Sequence, residues 1–431
     1  MCSDRQTVQQ AFRFELDPNQ AQRVLLAKSV GASRFVYNWG LAESQRAYEL
    51  TGKRPRLGEL KAQLVELKQD ECPWLYEVSA HIGQSALKDL NAAFERFFKG
   101  LSGEGPQSGF PKFKRKGERD SARLYEVTLE ERHIRLPMVG RVRLKETCSE
   151  RGFEGRILSA TVRRRADRWF VSLAVERERD VILPKSVKQS TDVVGVDLGL
   201  TSAAVIHDGT AARVVEPQRA LRRNLKRLRR LNRQLARRQR GSRNRERAKR
   251  ELARLHYRIS CQRQDFLHQL SSELAKTKSV IVLEDLNVKG MQKNRSFALS
   301  LGDAGMGELR RQLAYKSDWH GARLVLADRF FPSSKLCSGC GCIKPHLDLS
   351  QRRYECDACG LVLNRDENAA LNLRRLAQLP EGLREVTPVE RKALALAPAS
   401  VKPASRKQEA TADGNRRPTR RSTPKDVLVR V

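Results

Sequence analysis

The chain has 431 residues, with 84 Lys or Arg against 50 Asp or Glu, a formal charge of +34 and 39% hydrophobic residues. That length predicts about three domains with real cores, and that charge predicts a polyanionic partner, because so one-sided a field repels itself unless phosphates neutralise it. No stretch approaches the ~18 consecutive apolar residues of a transmembrane helix, the opening Met1-Cys2-Ser3-Asp4-Arg5-Gln6 predicts no secretory signal, and nine cysteines, four of them in two Cys-x-x-Cys pairs, suit a reduced compartment and a metal better than a disulfide framework.

Residues 7–16 alternate and then reach Asp17-Pro18, which predicts a short strand and a turn. From Asn19 to about Leu50 the apolar spacing is helical, with a break expected at Gly31. Further helices are expected near 58–69 and 81–99, the second with Ile82, Leu87, Leu90, Ala93, Phe94, Phe97 and Phe98 on one face. Residues 101–120 hold four glycines, two prolines and the basic run Lys112, Lys114, Arg115 and Lys116. This loop reads equally as a solvated connector or as a phosphate contact. Residues 121–180 return to alternation, clearest from Thr161 to Val175. One strand before the helical block and several after it predict a single β unit interrupted by a helical insert.

Residues 181–192 read as a linker, and a second unit opens at Val193–Leu198 as a buried strand. Ala203–His207 and Ala212–Val215 follow as strands joined at the hairpin dipeptide Asp208-Gly209. Then come two long helices, a buried strand at Ser279–Leu286, a helix near 305–319, a strand at Arg323–Ala327 and a last helix from about Arg365. Strand-strand-strand-helix-strand-helix-strand-helix is the order of a ribonuclease-H-like α/β domain. After about Gln378, six of the 16 prolines are mixed with Ala, Ser, Thr, Lys and Arg, which predicts a disordered tail.

Three acids stand out by position: Asp197 near the end of the first strand, Glu284 near the end of a later one, and Asp366 at the start of the final helix. A buried strand is a costly place for a carboxylate unless the acids converge on a cation. In a ribonuclease-H-like sheet these three meet. Their oxygens suit Mg²⁺, and two such ions could clamp the attacking and leaving oxygens of a phosphodiester. Asp285 remains an alternative to Glu284, and Asp366 could simply favour a helix N-terminus.

Cys337-x-x-Cys340 and Cys356-x-x-Cys359 each sit at a turn, 15 residues apart, which predicts one tetrahedral Zn²⁺ with no open position and hence a structural role. Cys342 is an extra thiol nearby whose role the spacing leaves open. Residues 219–258 hold 18 Lys or Arg against Glu246 and Glu251. Leu221, Leu225, Leu228, Leu231 and Leu235, then Leu252, Leu255 and Ile259, form a thin apolar stripe broken at Gly241-Ser242. The expectation is a basic helical hairpin that tracks phosphates, with Arg222, Arg223, Lys226, Arg230 and Arg237 as candidate contacts. Membrane binding is the weaker reading, because the stripe lacks aromatic anchors.

Taken together, Arg34-Phe-Val-Tyr-Asn-Trp, Gly195-Val-Asp-Leu-Gly, Leu283-Glu-Asp-Leu, Phe331-Pro-Ser-Ser-Lys-Leu-Cys-Ser-Gly-Cys-Gly and Asn364-Arg-Asp-Glu-Asn-Ala-Ala resemble the transposon-encoded TnpB (OrfB-type) proteins, relatives of type V CRISPR effectors. The resemblance implies a multidomain α+β architecture. A helical recognition lobe (18–120) would be inserted in a β-barrel wedge (1–17 and 121–190). A RuvC nuclease domain (191–332 and 364–378) would carry the hairpin (218–270) and a zinc ribbon (333–363), ahead of the tail (379–431). It implies an RNA-guided DNA endonuclease with guide RNA and double-stranded DNA as partners and no membrane, in the cytoplasm with the nucleoid. By motif match Asp197, Glu284 and Asp366 take the catalytic Mg²⁺ positions, and Cys337, Cys340, Cys356 and Cys359 the Zn²⁺ positions. The competing expectations are a guided repressor that holds DNA uncut and a transposase on a ribonuclease-H-like core.

Overall fold

The computed structural model describes residues 5–118, 120–180, 182–348 and 350–377; the tail expected beyond Gln378 lies outside the described residues. Strand β1 (Arg5–Asp17) leads into three helices, α1 (Gln20–Thr51), α2 (Leu57–Asp70) and α3 (Ala80–Leu101). Asn19 starts α1 with a reciprocal cap: its Oδ1 accepts from the Gln22 N–H at 2.9 Å, and Gln22 Oε1 accepts from the Asn19 N–H at 3.1 Å. The break expected at Gly31 does not occur. A helical glycine costs roughly 0.5–1 kcal/mol, and the continuous buried seam of Leu26, Val30, Val36 and Leu41 outweighs it.

Short strands follow: β2 (Ser121–Leu124), β3 (Thr128–Leu129), β4 (His133–Leu136) and β5 (Gly140–Leu144), then the longer β6 (Arg156–Arg165) and β7 (Arg168–Asp180). They form one sheet in the order β2-β6-β7-β1-β5-β4-β3. β1 sits inside it, between β7 and β5, so the helical block is an insertion in a β unit, as expected. The alternation over Thr161 to Val175 is a hairpin rather than a single strand. Its buried positions change phase, from Ala160 and Val162 to Trp169, Val171, Leu173 and Val175, across the turn at Ala166-Asp167. The barrel expectation is corrected: among the described residues β2 and β3 end the sheet without pairing to each other, so no closed barrel is found. The physical reason is cover. α1 and α3 pack at β2, and Leu26, Val36, Leu87 and Leu90 share one core with Phe14, Leu124, Ile134 and Val171.

The second unit contains β8 (Val193–Asp197), β9 (Ala204–His207), β10 (Ala212–Val215), α4 (Ala220–Arg237), α5 (Arg243–Thr277) and β11 (Val280–Glu284). After these come α6 (Val288–Met291), α7 (Arg295–Ala304), α8 (Met306–His320) and β12 (Arg323–Ala327). The cysteine module supplies β13 (Arg353–Glu355) and β14 (Val362–Asn364), and α9 (Arg365–Leu376) ends the described chain. The main sheet runs β10-β9-β8-β11-β12, with β8, β11 and β12 parallel and β9 and β10 antiparallel. The turn at Asp208-Gly209 is closed by Asp208 Oδ1, which accepts from the N–H groups of Thr210 and Ala211 at 2.9 and 3.0 Å.

β8 and β11 are apolar on both faces because both faces are covered. Val194, Val196, Ile281 and Leu283 pack with Leu270 and Leu274 of α5 and Leu313 of α8, whereas Val193, Val280 and Val282 pack with Leu373 and Leu376 of α9. The two short helices α6 and α7 were not expected from the sequence. No helix among the described residues is long and apolar enough to cross a membrane.

Candidate active site and metal centre

In the register of β8 on β11, Val196 lies opposite Leu283. Asp197 and Glu284 are the next residues on these parallel neighbours, at their C-terminal ends. Open α/β sheets place ligands outside those ends. Asp366 is the second residue of α9, whose first turn is capped by Asn364 Oδ1 accepting from the Asp366 N–H at 2.9 Å. α9 can lie this close to β8 because Gly195 has no side chain. A Cβ there would stand 1.9 Å from the Ala370 carbonyl oxygen and 2.5 Å from the Arg374 nitrogen. Arg374 locks the arrangement, donating from Nε to the Val193 carbonyl at 3.0 Å and from Nη2 to the Ser190 carbonyl at 2.8 Å.

All three sequence-predicted acids are thus brought to one place, and they interact. Burial, followed by the charges of Glu284 and Asp366, holds the Asp197 carboxyl well above the usual carboxylate range, with Arg365 opposing. Burial also raises Glu284, partly offset by the Ser333 hydroxyl that donates to its Oε1 and by Arg365. Clustered, half-buried carboxylates of this kind are relieved by a cation. Their oxygens are spread more widely than a single tight cage, since among the described residues only the cysteine group below brings three or more such ligand atoms within 4.8 Å of one another. Asp285 is engaged elsewhere: Arg310 and Arg329 both pair with it, the latter at 3.2 Å. Of the two neighbouring acids, Glu284 is therefore the one that faces Asp197. A cleft of about 300 Å³ beside it is lined by Glu284, Asp285, Lys289, Arg310 and Arg329.

The cysteine module is built from two knuckles. In the first, Gly341 N–H donates to the Cys337 carbonyl at 3.0 Å; in the second, Gly360 N–H donates to the Cys356 carbonyl at 3.0 Å. Both glycines have positive φ, +79° and +73°, which side chains rarely adopt. Cys337 Sγ lies 3.6 Å from Cys359 Sγ, and Cys340 Sγ 3.5 Å from Cys356 Sγ. Four sulfurs about 2.3 Å from one Zn²⁺ would stand roughly 3.8 Å apart, so the quartet fits that ion. The backbone N–H groups of Cys359 and Ala358 draw the Cys356 thiol below its ordinary value, whereas the Cys359 thiol, despite the Leu361 N–H, is held above its own by the neighbouring sulfurs. Cys342 is exposed and outside the quartet; it contributes its carbonyl, which accepts from the Cys337 N–H at 2.8 Å.

α4 and α5 form the expected hairpin, with Ser242 capping α5 and Leu228, Leu231, Leu255 and Ile259 in the seam. Arg222, Arg223, Lys226, Arg230 and Arg237 are all exposed. In the 101–120 loop Lys112, Arg115 and Lys116 are exposed, but Lys114 turns inward. Its Nζ lies 3.9 Å from the centre of the Tyr37 ring, and its backbone exchanges hydrogen bonds with Asn38 at 2.8 and 3.0 Å. Sequence reading missed Arg254, which pairs with Asp167 in the β6–β7 turn at 2.6 Å and so joins the hairpin to the first sheet. A cleft of about 630 Å³ at that junction is lined by Arg23, Lys145, Arg164, Arg168 and Arg250 among others. It also missed the roles of Ser333 and Asn368, although both lie in the quoted stretches that begin at Phe331 and Asn364, and that of Asn372.

Three family models match the chain: residues 171–295 match one described as "Probable transposase" (the OrfB protein of IS605-type elements), 307–373 a "Cas12f1-like, TNB domain", and 6–53 a "Helix-turn-helix domain". In this chain the last stretch is β1 and the single helix α1. A protein of Streptomyces pristinaespiralis named "Putative RNA-guided DNA endonuclease" is 36% identical, over 85% of this chain and 89% of that protein. The correspondingly named InsQ of Escherichia coli K12 is 33% identical, over 84% and 91%. The solved structure of the mini-RNA-guided endonuclease CRISPR-Cas_phi3 is 9% identical, with coverage of 88% and 93% and a TM-score of 0.38.

Proposed function

This chain belongs to the transposon-encoded TnpB (OrfB-type) family, and on that premise we propose that it is an RNA-guided DNA endonuclease that hydrolyses phosphodiesters at the Asp197–Glu284–Asp366 cluster. The observation that carries the proposal is the meeting of these three carboxylates, 87 and 82 residues apart along the chain, at the open end of one parallel strand pair. The names of the relatives support a guide RNA and DNA as its partners, and the formal charge of +34 matches a polyanionic load.

Asp197, Glu284 and Asp366 are assigned to hold Mg²⁺. A metal held there would supply positive charge for the scissile phosphate and would lower the pKa of an attacking water. The chain's own residues do the rest. Ser333 fixes one oxygen of Glu284. Arg310 and Arg329, held at the cleft edge by Asp285, present positive charge to incoming phosphate. Cys337, Cys340, Cys356 and Cys359 are assigned to one Zn²⁺ with no open position, hence a structural ion. The open sheet is assigned as wedge (residues 1–17 and 121–190), its helical insert as recognition lobe (18–120), and the five-stranded unit as RuvC-like nuclease. Between them, the basic hairpin and the cleft at Arg254–Asp167 offer a positive track that reads backbone and shape, as a guide–target hybrid requires.

The test is to purify the protein with its bound nucleic acid and sequence it. A discrete structured RNA with a variable 3′ end is expected, and the complex should cut a plasmid carrying the matching sequence in Mg²⁺. Asp197→Asn should bind the same RNA and plasmid without cutting. Cleavage by that variant at the wild-type rate would reject the site.

A further inference from the structure

The segment that links β12 to the first cysteine knuckle is clamped by α9. Asn372, fully buried, donates through Nδ2 to the carbonyls of Ser333 at 2.8 Å and Leu336 at 2.6 Å. Asn368, one turn earlier and also fully buried, donates to the Leu336 carbonyl at 2.7 Å and accepts from the Ser338 N–H at 2.9 Å. Ser338 lies within the first knuckle, directly after Cys337. At the far end of the same segment the buried Ser333 hydroxyl donates to Glu284 Oε1. Between these ends the chain is coiled into one turn, with the Lys335 and Leu336 N–H groups donating to the Pro332 carbonyl at 3.0 and 2.9 Å. A continuous path of buried and partly buried hydrogen bonds therefore runs from the first knuckle to a carboxylate of the acidic cluster.

We propose that Ser333, Asn368 and Asn372 are positioning residues that make the cysteine module part of the active site's support. The knuckle fixes residues 333–338 against α9, and Ser333 in turn fixes the Glu284 carboxylate relative to Asp197 and Asp366. Two carboxamides at successive turns of a helix otherwise packed with Ala369, Ala370 and Leu373 are a costly choice for packing alone. Three donations and the Asn368 oxygen are spent on a single partner segment, the one whose Ser333 hydroxyl meets Glu284. Because α9 also carries Asp366, one clamp holds two of the three acids in register. The proposal rests on Glu284 as a metal-holding acid.

The experiment uses the full-length RNA complex and Mn²⁺ as a paramagnetic probe, titrated and read by electron paramagnetic resonance, alongside zinc content and melting temperature. Ser333→Ala is expected to weaken Mn²⁺ binding on the order of tenfold, as loss of a ligand's outer hydrogen bond does, with zinc retained. Ser333→Thr, which keeps the hydroxyl, should restore it. Asn372→Ala should weaken Mn²⁺ binding in the same direction, and the double variant should be no weaker than the worse single, because both act through one contact. Asn368→Ala serves in the same way if Asn372→Ala does not fold. Wild-type Mn²⁺ binding in Ser333→Ala, or additive losses in the double variant, would overturn the coupling. Glu284→Gln separates the two ideas. If it abolishes Mn²⁺ binding while Ser333→Ala leaves it intact, only the coupling falls; if Glu284→Gln itself binds Mn²⁺ and cuts normally, the site assignment falls.

Discussion

Adding one methyl group at Gly195 should damage this protein out of proportion to its size. The Cβ of Gly195→Ala would meet the Ala370 carbonyl oxygen at 1.9 Å, where ordinary contact begins at 3.4 Å. Neither partner is a flexible side-chain end: one is the backbone of α9 and the other a strand buried on both faces. The helix must therefore retreat by about 1.5 Å, and with it Asp366, one turn before Ala370. Overpacking of this kind costs about 1–3 kcal/mol, which for a unit of this size lowers the melting temperature by roughly 3–10 °C. Displacing a reacting group by ~1 Å typically costs on the order of 100-fold in rate. Differential scanning fluorimetry and a time course of plasmid cleavage by the RNA complex read the two effects. Guide-dependent DNA binding should survive. A Gly195→Ala protein that melts and cuts like the wild type would show that α9 does not bear on β8 as described, and the placing of Asp366 would fail with it.

Asp197→Asn should change the pH dependence of stability in the metal-free protein. Because Asp197 and Glu284 are held above the usual carboxylate range, the folded state keeps protons there that the unfolded chain releases. Their contribution is present below the ordinary carboxylate pKa near ~4 and is lost as pH rises through the folded values. The melting-temperature advantage of Asp197→Asn should therefore grow from pH 4 to pH 8, and Mg²⁺ should stabilise the wild type most at the upper end; parallel curves would contradict this. Cys356→Ser should lower bound zinc from one per chain to none by elemental analysis and destabilise the C-terminal half, whereas Cys342→Ser, exposed and outside the quartet, should do neither. Replacing Arg222, Arg223 and Lys226 together by Gln should flatten the dependence of log Kd for the guide RNA on log salt by about 2–3, with little change in melting because all three are exposed. An unchanged slope would remove them from the RNA track.

What could be read from the sequence was what obeys local periodicity or fixed spacing. β8 and β11 were visible because buried parallel strands are unbroken apolar runs, and the cysteine quartet because knuckles have a fixed length. The three acids could be named, and the motif resemblance placed Glu284 ahead of Asp285; that Asp285 is occupied by Arg310 and Arg329, from α8 and from beyond β12, could not be read. Gly31 misled because a helix penalty is local while the seam that overrides it is tertiary. The β6–β7 hairpin carried a signal, the change of phase at Ala166-Asp167, that only the pairing made plain. The open end of the first sheet was out of reach, since nothing in β2 or β3 says whether an edge meets a strand or a helix. The roles of Asn368 and Asn372 were out of reach because their partners are backbone groups, which have no residue identity, and that of Ser333 because its partner, Glu284, lies 49 residues away in the chain.

The place of β1 inside its sheet has a consequence for biosynthesis. Leu16 pairs with Trp169, 153 residues later. At ribosomal rates of about 5–20 residues per second, the nascent strand, with Phe12, Phe14 and Leu16 on its apolar side, waits roughly 8–30 seconds for its neighbour. Meanwhile the α1–α3 block can form locally, leaving an unpaired ribbon at its leading end. Chaperone capture during that interval, or a pause in translation that lengthens it, should change the soluble yield of this chain.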